Sequence, residues 1–432
     1  MTPEEEGMRV LVVGAGGFIG RHLVGRLVAE GLQVVAAGRE PTSLSRRLAG
    51  VETIACDLAR DDRAQWAERL RGVDAIVNCA GIIGRGADYA GVHEHGATAL
   101  FDAALAAGVG RVIQVSALGA DHTGVTPYHR SKRAADDYLA RLGADGTVMG
   151  WAVVRPSLVL GRGGASMALF AALAALPIVP RLGTGQWQVQ PIHVDDLVDI
   201  LLRLLRAPAP LHHRLDAVGP EPMTTDELTA VIRRWLGRGR APQLAVPRNL
   251  LALAARLGIG PATPESLAML EAGNTAPMAH LLEATEGRPS PVEQMLALHP
   301  ATAADVAAAR LAPVIPVARW LLALVWLAGG LVSIGAAPGF AIDAWLAKLG
   351  LGGAAAFAVL WAGSLADIAV GLAIAARRHG AALVGVALMG VYTAILTTIA
   401  PELWADPFGP LVKNLAVLGL SLVVHVLETR RG

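Results

Sequence analysis

Apolar residues in the first two hundred positions form short aliphatic runs, separated by longer segments in which they recur at helical spacing. The short runs lack alternation of apolar and polar residues, which is typical of parallel strands covered on both faces. We predict strands at Val10–Val13, Val34–Ala37, Ile54–Cys56, Ala75–Asn78, Val112–Val115 and Ala152–Val154. We predict helices at Ile19–Glu30, Arg63–Leu70, Ala97–Ala107 and Lys132–Leu142. This alternation predicts an α/β domain with a doubly wound, Rossmann-type parallel sheet.

The pattern changes twice after this first domain. From Met223 to Arg310 the chain is mostly helical with many prolines, which predicts a small helical substrate lobe and a linker. Four long apolar segments follow, at Val317–Gly335, Gly353–Ala376, Ala381–Ile399 and Pro410–Leu427. Each approaches the roughly 20 residues that cross a bilayer, and tryptophans near their ends favour membrane spans over buried soluble helices. We therefore predict a Rossmann-type domain at 8–222, a lobe and linker at 223–312, and an all-α four-helix transmembrane bundle at 313–432.

Basic residues are distributed unevenly around the apolar segments. At or beside one set of segment ends lie Arg310, Arg319, Arg377, Arg378, Arg430 and Arg431, and the opposite loops hold Asp343, Lys348, Glu402 and Asp406. Because cytoplasmic loops carry an excess of Lys and Arg, we expect both termini in the cytoplasm. The acidic start MTPEEEGM lacks the features of a signal peptide, which leads to the same expectation. We expect a multi-pass inner-membrane protein, with the lipid bilayer as a partner and the first domain cytoplasmic.

Composition limits the remaining function classes. The formal net charge is +1, and no basic cluster suggests nucleic acid as a partner. The cysteines Cys56 and Cys79 lie at the ends of apolar runs, which is typical of small buried side chains in a reducing compartment. We therefore predict neither a disulfide nor a metal site.

A glycine-rich turn lies at the first predicted strand–helix junction. Gly14, Gly17 and Gly20 are spaced three residues apart, where the backbone would approach a dinucleotide pyrophosphate at the helix N-terminus. Such a fingerprint is weak alone and strong at the first junction of a βαβ series. We expect the intervening residues Gly16, Phe18 and Ile19 to line the nucleotide as well.

Cofactor preference is indicated by Arg39, which follows the second predicted strand. An acidic residue in this place would hold the ribose diol of NAD, whereas a guanidinium suits a 2′-phosphate. We therefore favour NADP, as NADPH, with NAD possible; the alternative is an exposed loop arginine without this role. Asp57 and Leu58 follow the third strand and are predicted near the adenine. Asn78, Ala80 and Gly81 follow the fourth strand and are predicted to line the cofactor.

Candidate catalytic residues follow the fifth predicted strand. Tyr128 and Lys132 are four residues apart, so that they share one face of a helix. A nearby ammonium would lower the pKa of the phenol and suit it to proton transfer. Ser116 could hydrogen-bond the same substrate oxygen. A Tyr and Lys at this spacing are common on ordinary helices, and their place after the fifth strand is what favours the catalytic role.

These motifs together resemble a known family. The segments GAGGFIG, NCAG, YHRSK, VVRPSLVLGRGG and QPIHVDDL are similar to extended or atypical short-chain dehydrogenases/reductases. SALGA and TPESLAMLEAGN resemble the branch that contains the NADPH-binding accessory subunit of respiratory complex I. The resemblance covers roughly Met8 to Arg310 and implies that Ser116, Tyr128 and Lys132 are catalytic. It also implies a strand end near the nicotinamide, formed by Arg155, Pro156 and Ser157. Ser116 lies nearer Tyr128 in sequence than is usual in extended members.

The final region, with its DPFGPLVKN stretch, resembles DoxX-type four-helix membrane domains. Asp367 falls within the second predicted span and Lys413 near the start of the fourth. Charges at membrane depth are costly and usually mark function. A structural pair, or a lysine that reaches the outer surface, is the alternative.

Three functions fit these observations. The favoured one is a membrane-anchored, NAD(P)(H)-dependent oxidoreductase that reduces a small lipophilic carbonyl or a quinone-like substrate. The second is a non-catalytic, NADPH-binding subunit of a membrane redox complex. The third is an epimerase or dehydratase acting on a nucleotide-linked or lipid-linked sugar.

Overall fold

The computed structural model describes residues 7–84, 86–124, 126–144, 149–208, 211–257, 263–285, 287–336 and 346–429. The chain divides into two compact units, Met1–Arg310 and Leu311–Gly432, which are described separately. The predicted residues Asp343, Arg430 and Arg431 lie outside the described ranges. The division is close to the predicted boundary at 312, and the boundary at 222 stays a prediction.

The first unit contains these strands: β1 (Arg9–Val13), β2 (Gln33–Gly38), β3 (Glu52–Ala55), β4 (Ala75–Asn78), β5 (Arg111–Val115), β6 (Gly150–Pro156), β7 (Val159–Leu160), β8 (Val179–Leu182), β9 (Gln188–Val189), β10 (Ile192–His193), β11 (His212–Ala217), β12 (Met223–Thr224) and β13 (Gln243–Val246). Its helices are α1 (Phe18–Ala29), α2 (Pro41–Arg47), α3 (Arg63–Arg69), α4 (Gly96–Ala106), α5 (Pro127–Ala144), α6 (Ala165–Ala175), α7 (Val194–Arg206), α8 (Thr225–Trp235), α9 (Arg248–Leu257), α10 (Pro264–Glu271), α11 (Ala279–Thr285), α12 (Val292–Leu298) and α13 (Ala303–Leu311). A π-helical turn, Ala90–His95, precedes α4.

Seven of the strands form one parallel sheet in the order β11-β6-β5-β4-β1-β2-β3. The predicted doubly wound sheet is therefore confirmed, and its six predicted strands are all present. The seventh strand, β11, was not predicted. It lies at an edge of the sheet, and its exposed first residues His212, His213 and Arg214 hide the apolar pattern of a strand.

The sheet is buried on both faces, which explains the absence of alternation in its strands. Val10 and Val12 pack into one apolar cluster with residues of α1 and α7. Leu11 and Val13 pack into a second cluster with residues of α3, α4 and α5. Successive side chains of a strand point to opposite faces, so both faces of β1 require aliphatic residues.

A third apolar cluster forms the core of the smaller lobe. It joins residues of α6 and β8 to residues of α8, α10 and α12. Its members include Phe170 and Leu182 before position 222 and Ile232 and Leu270 after it. The lobe therefore draws on chain segments from both sides of the predicted boundary.

The second unit consists mainly of α14 (Val314–Ala336), α15 (Gly353–Ala375), α16 (Ala381–Ile399) and α17 (Lys413–Thr429), with a short 3₁₀ turn at Pro401–Trp404. Among the described residues, three helices are long and apolar enough to cross a membrane, and they contain α14, α15 and α16. α17 has 17 residues, so the fourth span stays a prediction.

In the second unit, Asp367 pairs with a tyrosine rather than with Lys413, the pairing that was one alternative predicted from the sequence. The hydroxyl of Tyr392 on α16 donates a hydrogen bond to Asp367 of α15 at 3.1 Å. Lys413 is exposed at the first position of α17, and within the described residues it makes no ion pair with Asp367. The pairing of Asp367 is therefore with a tyrosine from the neighbouring helix.

Candidate active site

The glycine turn after β1 has the tight geometry that its sequence predicts. The Gly14 N–H donates to the Ala37 carbonyl at 3.0 Å, and the Gly17 N–H donates to the Gly14 carbonyl at 2.9 Å. Gly14 has a φ of 75°, and a Cβ there would lie 2.8 Å from the Cα of Ala80. A Cβ on Gly20 would lie 2.3 Å from the Gly14 carbonyl oxygen. Both positions therefore require glycine.

The first turn of α1 is suited to an anion. Its N-cap residue is Gly17, and no side chain caps the helix. The first N–H groups of a helix lack intrahelical acceptors and carry a partial positive charge. β1 lies between β4 and β2, where the order of the sheet reverses, and ligands of such sheets bind in the crevice at this point. The residues present therefore fit a dinucleotide pyrophosphate.

Three predicted neighbours of this turn have mainly packing contacts. The ring of Phe18 lies against the loop at Gly161 and Gly164, where an added Cβ would approach it within 3.1 and 2.8 Å. Ile19 is partly buried against the core cluster beneath the turn. Gly16 leaves room for the side chain of Leu44, which a Cβ would meet at 3.4 Å. These residues can therefore contact a nucleotide through their backbone rather than through their side chains.

Arg39 lies directly after β2 and is exposed. Within the described residues its guanidinium makes no ion pair, so it is available to a phosphate at this strand end. Asp57 begins a turn after β3, in which its carboxylate accepts from the Ala59 N–H at 3.1 Å. Leu58 is buried. The predicted adenine-side residues therefore follow neighbouring strands at the same edge of the sheet.

Lys132 connects the ends of two central strands. Its ammonium group donates to the carbonyls of Ala80 at 2.9 Å and of Val115 at 3.0 Å. Its Nζ would lie 3.3 Å from a Cβ at Gly81. Asn78 donates to Gln114 at 2.8 Å and accepts from the Ala80 N–H at 3.1 Å. The structure therefore brings together residues predicted from β4 and from α5.

Tyr128 lies in the first turn of α5, four residues before Lys132, as predicted. Its ring packs edge-on against His93 at 5.4 Å and Tyr89 at 6.1 Å between centroids. Within the described part of the chain, no group hydrogen-bonds its hydroxyl, which is therefore available to a ligand.

The electrostatics of this pair differ from the expectation drawn from the sequence. Burial raises the pKa of Tyr128 to about 12, and Tyr89 and Asp136 add to the effect. Burial also lowers the pKa of Lys132 to about 8, which Asp136 opposes. The expected lowering of the phenol pKa is therefore wrong for the free protein, because burial disfavours the charged phenolate. At neutral pH, Tyr128 is a protonated acid.

Ser116 belongs to a buried polar network that the sequence did not reveal. Its hydroxyl donates to the carboxylate of Asp136 at 2.8 Å, and Arg155 donates to the same oxygen at 3.1 Å. Burial raises the pKa of Asp136 to about 6, against the effects of Arg155 and Ser116. The predicted residues Ser116 and Arg155 thus meet through Asp136, which lies on α5 one helical turn after Lys132. Only the fold distinguishes Asp136 from an ordinary polar residue of an amphipathic helix.

His93 is a second residue that sequence reasoning missed. It is buried in the π-helical turn before α4. Its Nε2 accepts from the Ile82 N–H at 2.9 Å, so Nδ1 carries the proton and donates to the Ser131 hydroxyl at 3.0 Å. Ser131 in turn donates to the Tyr128 carbonyl at 2.9 Å. Burial, with a smaller effect of Lys132, lowers the pKa of His93 to about 3, so it supports the first turn of α5 as a neutral imidazole.

The end of β6 contributes structure more than free side chains. Ser157 donates a short hydrogen bond to the Gln190 carbonyl, and the Pro156 carbonyl accepts from the Leu118 N–H at 2.9 Å.

A group of potential metal ligands lies elsewhere in the first unit. His193, Asp195 and His299 each place one potential ligand atom within 4.8 Å of the others. The prediction of no metal site is untested.

Comparisons with known proteins agree with this architecture. Residues 10–216 match the NAD dependent epimerase/dehydratase family, and residues 323–422 match the DoxX-like family. The first segment is thus similar to nucleotide-binding domains of the epimerase and short-chain dehydrogenase/reductase type and the second to DoxX-like domains, which confirms both resemblances found in the sequence.

Two curated relatives are informative. A protein named ceramide reductase from Caulobacter vibrioides (strain NA1000 / CB15N) is 35% identical over 204 residues, which are 46% of this chain and 61% of the relative. A mitochondrial NADH dehydrogenase [ubiquinone] 1 alpha subcomplex subunit 9 from Dictyostelium discoideum is 26% identical over 52% of this chain and 63% of that protein. The chain therefore spans about three fifths of the length of these relatives.

Solved structures show the fold of the first unit. A UDP-glucuronic acid 4-epimerase from Bacillus cereus has a TM-score of 0.55 and 16% identity, and covers 70% of this chain and 99% of its own. A UDP-glucose 4-epimerase from Thermus thermophilus, in complex with NAD, has a TM-score of 0.54, 22% identity and the same coverage. The likeness extends to the fold alone.

Proposed function

We propose that this protein is a membrane-anchored, NADPH-dependent reductase of a lipophilic carbonyl or quinone-like substrate. The single observation that supports this most is the hydroxyl of Tyr128, which has no hydrogen-bond partner among the described residues and a pKa of about 12, one helical turn from Lys132. A phenol that is protonated at neutral pH suits the reductive direction, in which the substrate oxygen must gain a proton.

The proposed reaction needs one residue to move a proton and one to hold the site. When bound, NADPH supplies the hydride to the carbonyl carbon. Tyr128 donates its proton to the oxygen and regains one from solvent, so that the product is an alcohol. Lys132 holds the ends of β4 and β5 through its hydrogen bonds to two carbonyls, and its ammonium group would contact the ribose of a bound cofactor. Ser116 positions α5 through Asp136.

The choice of NADPH over NADH rests on Arg39. Its exposed guanidinium at the end of β2 suits a 2′-phosphate, which attracts a cation and repels an acidic residue. NAD-dependent use of the site remains the alternative.

The substrate class and the location rest on the second unit. Apolar helices give access to molecules dissolved in the bilayer, and a relative named ceramide reductase supports a lipid as the substrate. Arg319, Arg377 and Arg378 lie at one end of the helices, which supports a cytoplasmic location for that end by the positive-inside rule. We infer an inner-membrane protein with the first unit in the cytoplasm.

A second function remains: a non-catalytic, NADPH-binding subunit of a membrane redox complex. The similarity to an NADH dehydrogenase subunit favours it. An epimerase or dehydratase acting on a sugar is the third, favoured by the family matched by residues 10–216.

One experiment separates the three. The full chain, purified in detergent, is incubated with NADPH and a panel of lipid ketones, quinones and nucleotide sugars, and NADPH absorbance and products are followed. We expect stoichiometric oxidation of NADPH with one lipophilic class. Conversion of a sugar without net NADPH consumption would indicate an epimerase, and bound nucleotide without any turnover would indicate the scaffold.

A further inference from the structure

A polar cavity of about 200 Å³ lies at one end of the apolar helices in the second unit. Residues from all four long helices or their ends line it. Ile315 and Arg319 come from α14, Arg377 to Gly380 from the turn after α15, Ala381 and Ala382 from α16, and His425 and Glu428 from α17. The cavity therefore lies where these helices meet at a predicted membrane surface.

The lining is predominantly basic. Three guanidinium groups and the imidazoles of His379 and His425 face one carboxylate, Glu428. Arg319 pairs with that carboxylate at 3.2 Å, although its side chain is only 3% exposed. Among the described lining residues, guanidinium groups therefore outnumber carboxylates three to one.

The backbone adds to this positive potential. α16 begins at Ala381, after Gly380 with a φ of 76°, and no side chain caps its first turn. The N-terminus of a 19-residue helix carries a partial positive charge. In its first turn the Ala381 N–H donates to the Arg378 carbonyl at 3.1 Å and the Leu383 N–H to the Gly380 carbonyl at 2.9 Å, so the helix end contributes mainly this partial charge. Side chains and backbone therefore favour the same kind of ligand, an anion with several acceptor oxygens.

The opposite end of the helices does not share this character. Lys348 lies 3.8 Å from Glu402, and Asp406 is in the following turn. Helices of 19 to 23 residues span about 30 Å at 1.5 Å per residue, so each end lies near the headgroup region of a bilayer. The basic cavity thus lies at headgroup depth on one side only.

We propose that this cavity binds the phosphate of an anionic phospholipid headgroup. Basic pockets between transmembrane helices on the cytoplasmic side are suited to such lipids. The headgroup phosphate would contact the basic lining of the cavity, and the acyl chains of the lipid would lie along the apolar flanks of α14 and α16. Free phosphate shares the recognition chemistry but lacks these chains.

The test measures thermal unfolding of the full chain in neutral detergent. We add phosphatidylglycerol, phosphatidylcholine with the same acyl chains, or inorganic phosphate. We expect a saturable rise of several degrees in the unfolding midpoint with phosphatidylglycerol only. An equal rise with phosphatidylcholine overturns the proposal, and a full rise with inorganic phosphate alone overturns its lipid source.

Two variants and a control locate the effect. The double variant Arg377→Gln, Arg378→Gln should lose most of the phosphatidylglycerol shift. Glu428→Gln removes the competing carboxylate and should move saturation to lower lipid concentration. Lys413→Gln removes a charge from the other end of the helices and should keep the parental shift. A double variant with the full shift, or loss of the shift in Lys413→Gln, contradicts the proposed site.

Discussion

At the residue scale, burial decides the chemistry of the candidate site. Burial raises the pKa of Tyr128 and lowers the pKa values of Lys132 and His93. Each shift favours the neutral form, because the loss of hydration is the largest effect on each group. Asp136 follows the same rule even though Arg155 and Ser116 hydrogen-bond it. In the free protein, the candidate acid Tyr128 is therefore a neutral phenol.

The first prediction concerns the Tyr128 hydroxyl. Tyr128→Phe should lower turnover by about a hundred- to ten-thousand-fold while NADPH affinity changes little, because only the proton donor is removed. Tyr138→Phe is a matched control, since its hydroxyl lies on the same helix and donates to Asp102 at 2.5 Å outside the site. We expect that control to keep its turnover. Steady-state kinetics and nucleotide titration test both variants, and a fully active Tyr128→Phe protein would exclude the mechanism.

The second prediction concerns pH. With a pKa of about 8, Lys132 loses its positive charge as the pH rises through that value. If the ammonium supports nucleotide binding, kcat/KM for NADPH should be constant below pH 8 and fall about tenfold per unit above it, since this ratio reports the free enzyme. Lys132→Arg keeps the charge to higher pH and should remove the decline from this range. A profile of Lys132→Arg identical to that of the parent would contradict the assignment.

The third prediction concerns Arg39. Arg39→Asp replaces an attractive charge by a repulsive one near the proposed 2′-phosphate, so NADPH should bind at least tenfold more weakly and NADH relatively better. Arg71→Asp makes the same charge change in the exposed turn before β4, at the other end of the strand, and should preserve the preference. Nucleotide titration measures both, and equal affinities of the parent for NADPH and NADH would remove the idea.

At the element scale, the order of the strands assembles the site. The carboxyl ends of β1, β2, β4 and β5 lie side by side in the sheet. The glycine turn, Arg39, Ala80 and Val115 therefore lie at the same end of these strands. α5 crosses this edge with Tyr128, Lys132 and Asp136 on successive turns. The site depends on how closely α1 and α5 approach the sheet.

The fourth prediction tests that approach at α1. Gly20→Ala places a methyl group 2.3 Å from the Gly14 carbonyl oxygen and should both weaken NADPH binding and destabilise the protein by about 1–3 kcal/mol. Gly25→Ala is the control on the same helix, where an added Cβ meets nothing within 4 Å. It should leave stability unchanged or raised by up to about 1 kcal/mol. Thermal unfolding with and without NADPH tests both variants, and equal behaviour would show that the close approach is not required.

At the scale of the whole molecule, the two units of the chain have surfaces suited to different solvents. The first buries its apolar residues around a sheet, whereas the second exposes large side chains such as Leu324, Phe357 and Leu372 along its helices. Exposed apolar surface of this extent is stable against lipid chains rather than against water.

The fifth prediction concerns the number of membrane crossings. If α17 is a fourth span, reporters fused at Gly432 and in the loop at 405–409 should report opposite sides of the membrane. A reporter between β13 and α9, at Pro247, should share the side of Gly432. Detection of both ends of α17 on the same side would leave three helices, those that contain α14, α15 and α16, as the membrane crossings.

The sequence alone predicted six strands of the sheet and the three longest apolar helices, because buried parallel strands and long apolar helices leave local apolar patterns that need no partner to be recognised. It also located the glycine turn and the Tyr128–Lys132 pair, whose spacing is local. Only the tertiary structure showed the edge strand β11, the bond of Ser116 to Asp136, and the place of His93 beside Tyr128. These depend on residues far apart in the chain. The direction of the Tyr128 pKa likewise depends on burial, which no local pattern reports.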